Sequence, residues 1–429
     1  MRRRLLLTLL TGDLVALGGA LLIASAVAFG SPSFWRVDLQ AGDSIWPMVA
    51  MLAAGALVAS YVSMRMWAKG VPRPSYGRGL AIVTTSLLFT AVGILLTRSY
   101  FSRPFLGVTA GLWLVGALAH RLGWRIRTPW LETMVIVTSE KSLARDLDEA
   151  DHADVLAVYD PGALPPDEPL SGKTMLVIDL RSVLSDPMAQ WVSSCNLAGL
   201  PVRSLTNVYE EHTGRMAMVH LAEGWEISQP ASRNADYAFI KRGADFLAVV
   251  ATSPLWLALG AFIWAAIRLD SSGPAIFRQE RVGRNGGLFT LYKFRTMVED
   301  AEDLGPQFTT EQDERLTRVG KWLRRFRVDE IPQLWNVVKG DLSLVGPRPE
   351  QKEFVDRFSQ AIPFYGYRHL IRPGVTGWSQ VNYGYADDLA DTVEKLTYDL
   401  YYLKHMSPWL DLRIMGQSTW TVLSGFGHQ

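Results

Sequence analysis

The sequence predicts a helical membrane bundle followed by two α/β domains, the second anchored by a re-entrant membrane helix. Three observations carry this reading. Four apolar segments occupy residues 1–128 of the 429-residue chain. Short apolar runs alternate with amphipathic stretches over residues 129–234, and one further apolar run at 246–267 lies between two basic flanks. With 43 basic against 42 acidic residues, overall charge gives no reason to expect a nucleic-acid partner.

The first apolar run, at 5–30, follows Arg2, Arg3 and Arg4; others lie at 45–64, 79–97 and 104–119. Each approaches the roughly 20 residues that a helix needs to cross a bilayer. Ala-Ser-Ala at 24–26 resembles a cleavage site, but the three spans behind it favour a four-helix domain over a removed leader. Asp13 sits inside the first run, where a carboxylate either faces other helices or snorkels to the interface. Basic residues cluster at Arg2 to Arg4, at Arg65, Lys69, Arg73 and Arg78, and at Arg121, Arg125 and Arg127. The positive-inside rule then places both ends of the bundle in the cytoplasm.

From Thr133 the texture changes. MVIVTS, VLAVYD, TMLVIDL and PVRSL read as strands, with helices over 141–150 and around 188–197, which predicts a small parallel sheet. A dinucleotide site needs G-x-G-x-x-G after the first strand; TSEKSLARD has no glycine. Cys195 is the one cysteine, which excludes an internal disulfide, and its helical setting predicts packing.

In the third domain, Lys241 and Arg242 precede the 246–267 run, and Arg268, Arg278, Arg281 and Arg284 follow it. Both flanks are cytoplasmic by charge, and Ser253-Pro254 breaks the helix near its middle, so the segment is expected to dip in and return. GPAIFRQERVGRNGGLFTLYKFRTM predicts a β-hairpin turning at RNGG, with Gln279, Arg281, Lys293 and Arg295 able to share a face. A helix is expected from Asp329 to Gly340, burying Ile331, Leu334, Trp335 and Val338, with Asp329, Gln333 and Asn336 opposite. Its first turn carries adjacent carboxylates, Asp329 and Glu330, behind Lys321, Arg324, Arg325 and Arg327. Carboxylates among cations suit phosphate chemistry; an ordinary N-terminal charge preference beside a solvated basic face remains the other reading. VGPRP presents Arg348 rigidly between Pro347 and Pro349, and RPGVTGW offers Arg372 and two glycines. Tyr365, Tyr367, Trp378, Tyr383 and Tyr385 could stack on a base or sugar, or simply pack a core.

KFRTM (293–297), DEIPQLWNV (329–337), KGDLSLVGPRP (339–349) and RPGVTGW (372–378), in that order, resemble the bacterial polyprenyl-phosphate hexose-1-phosphate transferases. These are the monotopic phosphoglycosyl transferases that start exopolysaccharide, capsule and O-antigen assembly. The resemblance implies a Rossmann-like accessory domain at 129–234 and a catalytic domain at 235–429 with its re-entrant helix at 240–268, broken at Ser253 and Pro254. It implies transfer of a hexose 1-phosphate from a UDP-sugar to undecaprenyl phosphate with release of UMP. UDP-glucose is the first donor expected, with UDP-galactose or a UDP-N-acetylhexosamine as alternatives. By the same resemblance, Asp329 is the nucleophile of a covalent aspartyl phosphosugar step, Glu330 holds Mg²⁺, and Lys293, Arg295 and Arg348 stabilise the transferring phosphoryl group. Gln279, Arg281, Lys241, Arg242, Asp245, Pro347, Pro349 and Arg372 are the expected substrate-binding set. Lys241, Arg242 and Asp245 would position either the lipid head group or the hairpin itself. The expected setting is the inner membrane of a bacterium, catalytic domain in the cytoplasm, as a homodimer among membrane lipids. A non-catalytic scaffold or sensor is the alternative, and it predicts a damaged dyad.

Overall fold

The computed structural model describes residues 2–33, 35, 46–66, 76–97, 103–127, 131–166, 170, 174–219, 235–298, 315–383 and 388–424. The chain divides into two compact units, Met1–Leu131 and Glu132–Gln429.

Four helices make the first unit: α1 (Arg2–Phe29), α2 (Trp46–Met66), α3 (Tyr76–Thr97) and α4 (Arg103–Arg127). They fall on the four predicted runs, with α4 continuing eight residues beyond the end of its apolar part. Leu17, Leu21, Met48, Leu52, Ile82, Phe105 and Trp113 fill the bundle core. A Cβ on Gly55 would sit 2.8 Å from the Cα of Ser86, so a small residue is what lets α2 and α3 meet there. Among the described residues, Leu7–Phe29, Pro104–Trp124 and Ser253–Asp270 are long and apolar enough to cross a membrane; Trp46–Val58 and Ile82–Gly93 are shorter apolar helices.

Asp13 is buried and accepts both Arg121 guanidinium nitrogens, with Nη2 2.6 Å from Oδ2. Trp113 donates its indole N–H to the Asp13 carbonyl at 2.9 Å. Asp13 thus faces another helix, as a carboxylate inside a span is expected to, and does not snorkel. One expectation is corrected: Arg121, counted with the basic exit, is paired inside the bundle. Lys69 and Arg73 lie outside the described residues.

The second unit begins with β1 (Glu132–Val137), α5 (Lys141–Asp148), β2 (Ala153–Tyr159), β3 (Met175–Ile178), α6 (Asp186–Leu197), β4 (Val202–Ser204) and α7 (Leu205–Thr213). The strands form one parallel sheet in the order β2-β1-β3-β4. Leu143, Leu147, Leu205 and Val208 cover one side; Met188, Trp191 and the wholly buried Cys195 cover the other. In such sheets a ligand crevice opens where the strand order reverses, here between β1 and β3. At that position the Thr138 hydroxyl donates to Asp179 at 3.1 Å, both buried.

This sheet layer is fastened to the C-terminal elements. Glu210 accepts from Lys404 at 2.8 Å and pairs with His405 at 2.9 Å. Arg215 bridges Glu394 and Asp146, and Met216 packs among Ile362, Tyr365, Leu396 and Leu400. Trp378 donates to the Gly214 carbonyl at 2.8 Å, so this tryptophan is spent on core packing; Tyr385 lies outside the described residues.

Two helices follow, α8 (Ala235–Ala251) and α9 (Ser253–Asp270), separated at Thr252. Pro254 lacks an N–H and cannot continue α8. At the break, side chains bond the last carbonyls of α8: Val249 O accepts from the Trp256 indole at 3.0 Å and from the Thr252 hydroxyl at 3.3 Å. Next come the antiparallel hairpin β5 (Ile276–Val282) and β6 (Leu288–Phe294), α10 (Arg318–Arg325), α11 (Gln333–Lys339), β7 (Ser343–Val345) and α12 (Lys352–Ala361). Then β8 (Gly374–Thr376) pairs in parallel with β7, and α13 (Trp378–Asn382), α14 (Leu389–His405) and α15 (Pro408–Ser424) complete the unit.

Candidate active site

Asp329 and Glu330 lie on a single 3₁₀ turn, Val328–Glu330, not at the start of a continuous helix. Arg327 enters that turn in the left-handed region at φ 52°, a conformation that costs a non-glycine residue about 1–2 kcal/mol. Regular helix begins only at Gln333, after Pro332, and ends at Gly340 as expected. The tighter turn shifts the phase. Gln333, Asn336 and Val337 are the buried positions, whereas Trp335 is 52% exposed. Asn336 faces inward because it replaces a strand partner: it donates to Thr290 O at 2.7 Å and accepts from Tyr292 N at 3.2 Å. These bonds dock α11 on β6 and bring the carboxylates to Lys293.

Glu330 Oε1 accepts from Lys293 Nζ at 3.0 Å and from both terminal nitrogens of Arg348 at 3.4 Å. Burial pushes the Glu330 carboxyl up, but Lys293 and Arg348 outweigh it and hold it down at about 2. Asp329 is buried beside it, and burial together with the charge of Glu330 raises its carboxyl to about 6, against the pull of Lys293, Arg324 and Arg348. Arg324, which the sequence reading left out of the clamp, donates to the Thr296 hydroxyl at 2.9 Å and contributes to this field. Among the described residues, Lys293, Arg324, Arg327 and Arg348 thus act on these two carboxylates.

The other expected site residues divide into groups. Gln279 and Arg281 share a face of β5, and Lys293 lies on the same face opposite Phe277. Arg281 grips Gln279 Oε1 at 2.6 Å and Pro349 O at 3.2 Å, and burial lowers its pKa to about 10. Arg295 donates to Ser271 at the end of α9 and not to the dyad, while its Nε and Nη1 are buried without hydrogen-bond partners among the described residues. Lys241 binds Asp411 at 2.6 Å and Asp245 accepts from Ser343 at 2.6 Å, so both pin α8 in place. Arg242 donates to the carbonyls of Val337 and Val338 at 2.5 and 2.9 Å, and Arg372 to that of Gly340 at 3.0 Å. Two cations therefore cap the negative end of α11 rather than line the dyad. The motif glycines admit backbone, since a Cβ on Gly346 would lie 2.5 Å from Arg372 O and one on Gly374 2.1 Å from Gly346 N.

A family model described as bacterial sugar transferase matches residues 236–425, a segment holding every one of these groups. The chain is 46% identical over 258 residues to a UDP-N-acetylgalactosamine-undecaprenyl-phosphate N-acetylgalactosaminephosphotransferase of Aeromonas hydrophila, covering 59% of each protein. It is 37% identical over 189 residues to the UDP-glucose:undecaprenyl-phosphate glucose-1-phosphate transferase of Escherichia coli strain K12, covering 44% of this chain and 40% of that one. Both matches span less than two thirds of those relatives. An uncharacterized sugar transferase of Bacillus subtilis strain 168 is 39% identical over 168 residues, which are 39% of this chain but 79% of that shorter protein. With the dyad, its cations and both glycine-crossed loops inside the matched segment, the chain belongs to the bacterial sugar transferase family.

Proposed function

We propose that the protein moves a sugar 1-phosphate from a UDP-sugar to undecaprenyl phosphate and releases UMP, as the first membrane step of polysaccharide assembly. One observation carries this: a buried Asp329 of raised basicity lies beside a Glu330 kept ionised by Lys293 and Arg348. In the first half-reaction an Asp329 carboxylate oxygen attacks the phosphorus bearing the sugar. The bond from that phosphorus to the bridging oxygen breaks, and UMP leaves with the electron pair. In the second half, an oxygen of undecaprenyl phosphate attacks the same phosphorus, the aspartyl bond breaks, and the lipid carries away the diphosphate-linked sugar. Lys293 and Arg348 stabilise charge on the phosphoryl oxygens in both halves.

Among the described residues no group of three acidic, histidine or cysteine side chains could hold a metal. Two adjacent carboxylates with a diphosphate still fit Mg²⁺, which commonly takes one or two carboxylates plus substrate phosphates. Glu330 would hold it, and the ion would supply neutralisation of the diphosphate.

UDP-glucose is the first reading for the donor. The 46% identity to the Aeromonas protein favours UDP-N-acetylgalactosamine as the second. A donor panel with detergent-solubilised protein separates them. The test of mechanism is UMP release without lipid acceptor: we expect a burst of about one equivalent per site and a sugar-phosphate adduct by intact mass. If UMP appears only when undecaprenyl phosphate is present, direct displacement replaces the two-step scheme.

The break at Thr252 and the basic flanks support a re-entrant α8–α9 hairpin in the inner membrane with the active site cytoplasmic. Single cysteines at the exposed Ser139 and Ser359 are then expected to react only with reagent admitted to the cytoplasm. Labelling of the second from outside intact cells would overturn this topology. We also propose a homodimer, which a purely monomeric mass distribution in nanodiscs would refute.

A further inference from the structure

Four consecutive carbonyls of the loop that presents Arg348 are held from outside it. Pro347 O accepts from Gly374 N at 2.9 Å, Arg348 O from Arg368 Nη2 at 3.0 Å, Pro349 O from Arg281 Nη1 at 3.2 Å and Glu350 O from Val282 N at 2.9 Å. Two of these grips come from guanidinium groups, and the one on Arg348 comes from the more deeply buried of the two, Arg368. Arg368 also donates to the Tyr365 hydroxyl at 2.7 Å, stacks over that ring, and pairs with Asp399 at 2.8 Å. Asp399 in turn accepts from the Ser379 hydroxyl at 2.8 Å. A buried guanidinium with its own counter-ion cannot drift without leaving charges unpaired in a medium that does not solvate them. Whatever it holds is held still.

We propose that Arg368 is a positioning residue for the Arg348 guanidinium, locked in turn by Asp399 and Ser379. Arg368 touches neither carboxylate; it acts by fixing the backbone from which Arg348 reaches Glu330. The competing role is a plain core ion pair tying α14 to the 365–370 segment. The inference rests on reading Arg348 as the phosphoryl clamp.

The experiment is a double-mutant cycle on the full chain in nanodiscs, read by the UMP burst. In Arg368→Lys we expect the burst amplitude to stay near one per site while its rate constant falls about ten- to a hundredfold, the scale of a misplaced reacting group. In an Arg348→Ala background the same substitution is expected to change the rate less than about twofold, because the effect runs through Arg348. Ser379→Ala, which leaves both charges and removes one hydroxyl, is expected to slow the burst by about two- to fivefold, and it serves if Arg368→Lys does not fold. A core role gives the opposite pattern: amplitude falls with folded fraction in both backgrounds, and the rate of the surviving fraction is unchanged. That pattern, or unchanged rates in both Arg368→Lys and Ser379→Ala, overturns the proposal. Failure of the two-step scheme would show separately, as no burst in the unsubstituted chain, and kcat with both substrates then carries the same comparison.

Discussion

Asp13 and Glu330 each sit against an arginine, and the two carboxylates are built to opposite ends. Asp13 has one partner, met at both oxygens by Arg121 inside the bundle. Glu330 shares one oxygen between Lys293 and Arg348 at 3.0 and 3.4 Å, with Arg324 and Arg327 close enough to add to the field. The first pair is matched one charge to one. The second has looser contacts, with four cations acting on the dyad among the described residues, and on the proposed function an incoming diphosphate completes it. A matched pair closes a site, and a looser cluster of cations held in place opens one.

The largest effect should come from emptying the open pair. Asp329→Asn keeps shape and fold but should cut the UMP burst by about a thousandfold or more, with no sugar-phosphate adduct by mass. Glu330→Gln should cost about a hundredfold in kcat, partly recovered by excess Mg²⁺. The bundle pair should behave in the reverse manner. Asp13→Asn strands Arg121 and should lower the stability of the bundle by about 3–5 kcal/mol, measured by denaturant titration in micelles. Replacing both partners with leucine should recover most of that, and neither change should alter the burst rate per folded molecule. An altered rate would mean that the bundle pair also works on the chemistry.

The smallest effect concerns Glu210, buried between the sheet layer and α14. Burial raises its carboxyl, but the bonds from His405 and Lys404 prevail and hold it below its ordinary value of 4.5. A depressed carboxyl contributes stability above its unfolded pKa and loses it as pH falls through the folded one. The thermal midpoint should therefore fall more steeply below about pH 4.5 in the natural chain than in Glu210→Gln, by an amount worth about 1 kcal/mol. Parallel curves would show that this joint carries no charge energy.

The spans of the bundle and the strands of the sheet were legible because each is a run along the chain. The partner of Asp13 was not, since Arg121 lies 108 positions away and reads locally as one of three exit cations. At the dyad, regular spacing predicted a single helix that buries Trp335. The left-handed Arg327 and the 3₁₀ turn after it shift that spacing, and Asn336 takes an inward place through hydrogen bonds to β6 that no apolar pattern announces. Arg372 read as an anion ligand and Arg242 as a residue placing either the lipid head group or the hairpin, and in the structure both bind carbonyls at a helix end. A guanidinium serves either task with the same geometry, so its type and neighbours in sequence do not tell the two apart.

The grip of Arg242 on α11 also sets a height. α11 has seven residues and rises about 10 Å. One end follows directly on the dyad, and the other is clasped by a residue of α8, the helix that leads into the apolar hairpin. On the proposed topology, depth in the bilayer is transmitted through a strut of fixed length, and Asp329 rides at a set offset from the hydrocarbon boundary. A membrane whose thickness changes the seating of the hairpin would raise or lower Asp329 against the plane of the lipid phosphates. On the proposed mechanism, acyl-chain length then becomes a variable of catalysis.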